Sequence, residues 1–151
     1  MNPLTTALTD QHAGCDALFA LAEDKAAQGL WADAVVAFDD FRRALEIHLQ
    51  GEENVLFPAF EAATGNRSGP TQVMRQEHER MRALLDEIEP ALLRNDAEQV
   101  DDFASTLLIL MQQHNMKEQG VLYPMCDFVL GGACHELLAK FGQGSAATCP
   151  R

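Results

Sequence analysis

Two short stretches of the chain carry the residues best suited to chemistry, and they repeat each other. The first is His48-Leu-Gln-Gly-Glu52, followed by Val55-Leu-Phe-Pro58; the second is His114-Asn-Met-Lys-Glu118, followed by Val121-Leu-Tyr-Pro124. Matching positions lie 66 residues apart, and one more histidine precedes each stretch by 36 residues. Imidazole and carboxylate groups are metal ligands. The repeat therefore predicts one metal site with six ligands: His12, His48, Glu52, His78, His114 and Glu118.

The segments that carry these residues show helical periodicity. Apolar residues recur at helical spacing over four segments: Leu4 to Gln28, about Trp31 to Pro58, about Thr71 onward, and about Asp96 to Pro124. All six candidate ligands lie on these apolar stripes, which we extend to Val55 and Val121. Two copies of a helical hairpin predict an all-α fold, an up-down-up-down antiparallel four-helix bundle with a short C-terminal helical segment from His135 to Phe141.

Local signals predict where the helices begin and end. Gly29 is a plausible stop for the first helix, and Thr71 and Asp96 are the expected N-caps of the third and fourth helices. Pro58 and Pro124 lack an amide donor, so we expect each to kink or end its helix. The segment from Thr64 to Pro70 is rich in turn residues and predicts a loop.

The register of the hairpins brings the histidines to one level. The midpoint between His12 and His48 falls beside Gly29, and the midpoint between His78 and His114 falls at residue 96. Residues equidistant from a turn lie at the same height in an antiparallel hairpin. Each glutamate follows its histidine by four residues and therefore projects from the same helix face. We expect all six groups to line one interior cavity.

Composition and charge limit the partners. The chain has 151 residues and a formal net charge of −12, which disfavours nucleic acid and anionic membrane surfaces. We see no signal peptide and no membrane-spanning run, and four cysteines without zinc-type spacing predict a reduced, cytoplasmic setting. We expect one domain over residues 1–141 and a flexible tail over residues 142–151. The sequence leaves the oligomeric state open.

The residue types limit the identity of the metal to a few candidates but do not select one. Two histidines and one carboxylate from each half form the open-sided set associated with non-haem Fe(II). Two such sets facing each other favour a dinuclear site bridged by Glu52 and Glu118. Iron is the commoner occupant of such a site, with manganese as a lesser alternative, and zinc also accepts these ligands. Two buried, unpaired carboxylates would be costly, which argues against a bundle that holds no metal.

These six residues, with the flanking Leu-Phe-Pro and Leu-Tyr-Pro, make the chain similar to the hemerythrin-like HHE cation-binding domain. The resemblance spans residues 1 to about 130 and implies a four-helix bundle with two non-haem iron ions, often oxo- or hydroxo-bridged, that react with oxygen, nitric oxide or peroxide. Oxygen-carrying members have a further histidine one turn from the third-helix histidine, where this chain has Met74 and Arg82. The four-His, two-Glu set is more similar to members linked to iron–sulfur cluster repair.

The resemblance leads to a functional expectation. We expect a di-iron protein that binds or reduces a small diatomic or peroxide oxidant in stress protection, sensing or iron handling. The alternatives are an iron donor of the iron–sulfur repair type and a reversible oxygen carrier. Whether the protein is an enzyme stays open, with oxidoreductase or peroxidase-like activity as the candidate.

Other residues near the six candidates are predicted to have structural or surface roles and not to bind metal. Glu53 and Glu77 should point about 100° away from their neighbours on a helix, which predicts solvated side chains. Tyr123 could donate a hydrogen bond near the site, but Phe57 occupies the matching position without a hydroxyl, which favours a structural role at the bundle end. Cys15 is expected to be a small core residue, and Cys134-His135 to have a surface role. The methionines at 74, 81 and 111 fit core packing.

Overall fold

The computed structural model describes residues 2–142, and every regular element in that range is helical. The predicted all-α class is confirmed. The helices are α1 (Pro3–Ala27), α2 (Trp31–Gly51), a π segment (Glu52–Leu56), α3 (Phe57–Thr64), α4 (Pro70–Leu93), α5 (Ala97–Lys117), a second π segment (Glu118–Leu122), α6 (Tyr123–Leu130), a 3-10 turn (Gly131–Ala133) and α7 (Cys134–Lys140). The predicted flexible tail lies, apart from Gly142, outside the described residues.

Four long helices surround the interior. Helix α1 packs along α2 and α4 packs along α5, while α2 also contacts α4 and α1 contacts α5. Short connections join α1 to α2 and α4 to α5, as expected for antiparallel neighbours. These contacts favour the up-down-up-down order, which stays a prediction, as do the domain bounds. Among the described residues, no helix is both long and apolar enough to cross a membrane.

Two of the predicted helix signals are confirmed and one is wrong. Helix α1 ends at Ala27, and Gly29 takes the left-handed conformation with φ +72°. The Asp96 side chain accepts a hydrogen bond from the Gln99 amide at 3.1 Å and so caps α5. Thr71 is not an N-cap, because α4 already begins at Pro70. Its hydroxyl instead donates to Glu61 at 2.7 Å.

A distant carboxylate caps α1. Asp127 accepts hydrogen bonds from the Leu4 amide at 2.9 Å, the Thr5 amide at 3.0 Å and the Thr5 hydroxyl at 2.7 Å. Amides in the first turn of a helix have no partner within the helix, so this carboxylate satisfies donors that the bundle would otherwise bury. The contact fixes the start of α1 against α6.

Pro58 and Pro124 each follow a π turn that starts at a candidate ligand. The Phe57 amide donates to the Glu52 carbonyl, and the Tyr123 amide donates to the Glu118 carbonyl, five residues back in each case. A proline ring clashes with the carbonyl four residues before it, and a wider turn relieves that clash. The prolines at 58 and 124 therefore sit in the first turns of α3 and α6, and the helical path continues past them.

The π turns rotate the buried face by one residue. The stripes were predicted to continue through Val55 and Val121, but Val55 is only half-buried and Val121 is 57% exposed. The structure instead buries Leu56 with Phe57, and Leu122 with Tyr123. The prediction failed because it carried the α-helical period through a turn that contains an extra residue.

A polar layer divides the core into two apolar clusters. The larger cluster includes Cys15, Leu45, Met81 and Met111, whereas the smaller one includes residues from both termini of the bundle and from both π segments: Leu4, Leu8, Leu56, Phe57, Phe60, Met74, Leu122, Tyr123, Cys126 and Cys134. The histidines at 12 and 78 lie one turn from a member of each cluster. The three methionines are buried, as predicted.

Candidate metal centre

The structure brings all six candidate residues to this polar layer. His12 and His48 are at most 5% exposed, His78 and His114 at most 2%, and both glutamates are fully buried. Helices α1, α2, α4 and α5 each supply one histidine, and the glutamates open the two π segments. Ligand atoms from Glu52, His78, His114 and Glu118 lie within 4.8 Å of one another, as do those from His12, His48 and Glu118.

The inward-facing atoms form two neighbouring groups that Glu118 joins. Its Oε1 lies 3.0 Å from His12 Nε2, and its Oε2 lies 3.2 Å from His114 Nε2. Glu52 Oε1 lies 3.1 Å from His78 Nε2 and 3.6 Å from His48 Nε2. The two glutamates would therefore be within reach of a cation beside either histidine pair.

One of these groups contains buried polar atoms without partners. Glu52 Oε1, His78 Nε2, His114 Nε2 and Glu118 Oε2 make no hydrogen bond within the described structure, although they approach each other closely. Each unsatisfied buried group costs about 1–3 kcal/mol. Nitrogen and carboxylate oxygen are the donor atoms that divalent iron and zinc accept. The donor set thus fits a metal ion, which would satisfy all four atoms.

The outer nitrogen of every histidine has a partner. Two of these partners are carboxylates and two are amides, and all four lie 2.7–2.8 Å from the imidazole Nδ1: Glu53 on His78, Glu77 on His114, Gln11 on His48 and Gln119 on His12. A partner that accepts at Nδ1 leaves the Nε2 lone pair facing the interior. The structure thus orients all four imidazoles for coordination.

The prediction that Glu53 and Glu77 are solvated is wrong. Glu53 Oε2 lies 2.7 Å from Nδ1 of His78 on α4, and Glu77 Oε1 lies 2.8 Å from Nδ1 of His114 on α5. Arg82 donates to Glu53 at 2.8 and 3.0 Å and also bonds Glu46, while Lys117 pairs with Glu77. A charge directly beside a ligand in sequence was the available signal, because second-sphere carboxylates accompany metal-bound histidines.

The model of the hemerythrin HHE cation-binding domain matches residues 4–126. The chain belongs to that family. Among curated proteins and solved structures, none gives a significant match. The HHE domain binds metal cations, and its matched range contains every residue of the polar layer.

Tyr123 reaches the centre of the HHE site, contrary to its expected role as a simple cap. Its hydroxyl lies 2.6 Å from Glu52 Oε2, 2.8 Å from Glu118 Oε1 and 3.0 Å from His12 Nε2. The ring stacks on His12, as the ring of Phe57 stacks on His78. The second π turn directs Tyr123 inward, which a regular helical period could not predict.

Burial and mutual contact control protonation in the layer. Burial lowers the pKa of His48 to about 3 and also lowers that of His78. Burial and the adjacent Glu118 raise the pKa of Glu52 well above its usual range. Burial by itself raises the pKa of Glu118 too, but His114 and His12 outweigh it and lower that pKa. The layer thus favours neutral imidazoles at His48 and His78, the protonation state that ligands a cation.

The remaining sequence candidates lie away from the layer or at its edge. His135 is exposed, as predicted, whereas the Cys134 side chain is 1% exposed. Neither belongs to a cluster of metal-ligating groups among the described residues. Cys15 is buried and lines an apolar pocket of about 360 Å³ that also touches Gln11 and His48.

Proposed function

We propose that this HHE-family protein binds two iron ions between its six polar-layer ligands and uses them to bind or reduce a small oxidant. The oxidant is oxygen, nitric oxide or peroxide. One observation carries the proposal: four buried donor atoms of Glu52, His78, His114 and Glu118 have no hydrogen-bond partner among residues 2–142. Three buried free thiols support the reducing, cytoplasmic setting that we propose with it.

The protein holds, orients and screens the site. The outer partners at Nδ1 keep each imidazole turned inward, and the two apolar clusters exclude bulk water above and below the layer. A bound iron pair supplies redox chemistry and open coordination positions for a small ligand. The apolar pocket beside His48 gives a small, weakly polar ligand a place to approach.

The surroundings of Tyr123 favour reduction over simple carriage. Its hydroxyl is buried with Glu52 and Glu118, and burial beside these carboxylates raises the pKa of the phenol. The phenol therefore keeps its proton and can donate a hydrogen bond to an oxygen atom that gains charge among these groups. Removing one such donor typically costs about 10²–10³-fold in rate. We therefore expect Tyr123→Phe to keep the metal content and to slow peroxide reduction with an added reductant by at least about tenfold. Unchanged turnover would favour a carrier, a sensor or an iron donor.

Metal analysis tests the main proposal. Protein purified without chelators should hold about two iron ions per chain and absorb in the near ultraviolet. The double variant His48→Ala with His114→Ala should lose this content, since it removes one imidazole from each group. His135→Ala is the matched control, because that histidine is exposed and outside the layer. Zinc alone, or metal retained in the double variant, would contradict the proposal.

A further inference from the structure

The two histidine pairs of the polar layer occupy equivalent places in the repeat but have different surroundings. Shifting by 66 residues superposes Gln11 on Glu77, Glu53 on Gln119, and Phe57 on Tyr123. Every one of these pairs contacts an equivalent histidine, and every pair differs in chemistry. The differences all fall the same way: carboxylates accompany one histidine pair, and amides and the phenol accompany the other.

We propose that the two metal positions are unequal, the tighter one lying between His78 and His114 and the weaker one between His12 and His48. We call them the carboxylate-backed position, with Glu53 and Glu77 outside it, and the amide-backed position, with Gln11 and Gln119 outside it. The inference rests on the proposed metal binding and adds which position fills first and which residues decide it.

The outer partners determine how strongly each imidazole binds a cation. A carboxylate that accepts from Nδ1 makes Nε2 a more basic ligand than an amide does. A carboxylate can only accept, so it fixes the Nδ1–H form of His78 and His114. The amide of Gln11 or Gln119 can turn and donate instead, and it then stabilises the form that carries a proton on Nε2 and cannot bind metal.

The inner atoms of the two positions also differ in their hydrogen bonds. At the carboxylate-backed position, Nε2 of both histidines and one oxygen of each glutamate have no hydrogen-bond partner in the described structure. At the amide-backed position the Tyr123 hydroxyl lies 3.0 Å from His12 Nε2 and 3.4 Å from His48 Nε2. A cation there must displace the phenol or rearrange its hydrogen bonds, whereas a cation at the carboxylate-backed position displaces none of them.

Net charge does not explain the difference. Arg82 pairs with Glu53, and Lys117 pairs with Glu77, so each outer carboxylate has a counter-charge nearby. The difference that we infer therefore acts locally, through the hydrogen bond at Nδ1. A remote change of charge should leave both positions unaffected.

Titration of metal-free protein with Co²⁺, followed by visible absorption and by metal analysis after desalting, tests the inference. Cobalt lies next to iron in the order of divalent affinities. Wild-type protein should bind in two steps whose dissociation constants differ by at least tenfold. His114→Ala should remove the tighter step, and His48→Ala should remove the weaker one.

Exchanging the outer partners assigns the cause. Glu53→Gln with Glu77→Gln should weaken the tighter step by about 10–100-fold, the usual effect of losing such a partner. Gln11→Glu with Gln119→Glu should strengthen the weaker step and bring the two together. The charge-matched controls are Glu87→Gln with Glu98→Gln, and Gln72→Glu with Gln99→Glu, all exposed and none within two residues of a candidate ligand. Neither pair should change either dissociation constant. Circular dichroism of the metal-free variants establishes that each is folded.

The outcomes separate the two proposals. Absence of any Co²⁺ binding by folded wild-type protein would overturn the proposed function itself. Two steps of equal affinity, or a Glu-to-Gln exchange that weakens both steps alike, would overturn only the inequality. Equal effects from the remote controls would also overturn it, because they would assign the difference to overall charge.

Discussion

The Tyr123 hydroxyl joins carboxylates that come from opposite halves of the repeat. It lies within hydrogen-bond distance of Glu52 and Glu118, and no water is needed to connect them. In the metal-free protein this phenol supplies the hydrogen bond that a buried carboxylate requires. The residue therefore stabilises the layer before any cation binds, in addition to its proposed hydrogen bond to the oxidant.

Removing that hydroxyl should weaken the metal-free fold. We expect Tyr123→Phe, measured by urea unfolding with a chelator present, to lower the free energy of unfolding by about 1–3 kcal/mol, since a buried carboxylate oxygen loses its donor. Phe128→Leu, at a ring that is 88% exposed, should change stability by less than about 0.5 kcal/mol. Equal effects of the two substitutions would mean that the hydrogen bonds of the phenol do not stabilise the metal-free fold.

Thiol chemistry offers a second test at single residues. Burial and the neighbouring Asp16 raise the pKa of Cys15 to about 11 from an ordinary value of 9.0, so its reactive thiolate at pH 8 is about a hundredfold scarcer than in the unfolded chain. We expect iodoacetamide to label Cys15 at least about a hundredfold more slowly in native protein than in unfolded protein. Peptide mass spectrometry at successive times measures the two rates. Fast native labelling would show that the side chain is open to solvent.

Sequence spacing predicted the ligand candidates but not their partners. The six candidates stand out because histidine and glutamate at helical spacing on an apolar stripe are hard to explain otherwise. Glu53 and Glu77 sit off that stripe, and only the packing of an adjacent helix decides that each reaches a histidine there. Their contacts depend on interhelical geometry, which the period of one helix does not contain.

Among the elements, the π turns explain both the error in the buried stripes and why the role of Tyr123 at the site was ranked below a cap. An extra residue in each turn moves Val121 to the surface and Tyr123 to the centre. Pro124 marks the place, yet a proline is equally compatible with a kink or a helix end. The repeat itself was the best clue, because both candidate glutamates precede a proline by six residues.

Removing the carboxylate that caps α1 should destabilise the fold more than removing a local cap. Asp127→Ala should lower the free energy of unfolding by more than the roughly 0.5–2 kcal/mol of an ordinary cap, because it leaves two backbone amides and a hydroxyl without their acceptor. Asp96→Ala, which removes the local cap of α5, should stay within the ordinary range. Chemical denaturation of both variants measures the difference, and a smaller loss for Asp127→Ala would contradict the tertiary cap.

For the whole molecule, the polar layer determines how the bundle is stabilised. All-α class and helix order follow from periodicity and the repeat, because apolar stripes must face each other. The division of the core into two clusters follows only when the layer is seen as a unit. The clusters supply the hydrophobic stabilisation. The buried atoms that have no hydrogen-bond partner in the described layer offset part of it.

Metal binding should therefore be visible as stability of the entire fold. A ligand that binds only the folded state stabilises it by RT ln(1 + [L]/Kd), about 4 kcal/mol at a thousandfold excess over Kd. We expect chelation to lower the melting temperature of wild-type protein by several degrees and re-addition of Fe²⁺ without oxygen to restore it. His48→Ala with His114→Ala should lose most of this response, whereas His135→Ala should keep it. A wild-type melting temperature that is indifferent to metal would mean that the layer is satisfied without cations, and the unpartnered donors would then require another explanation.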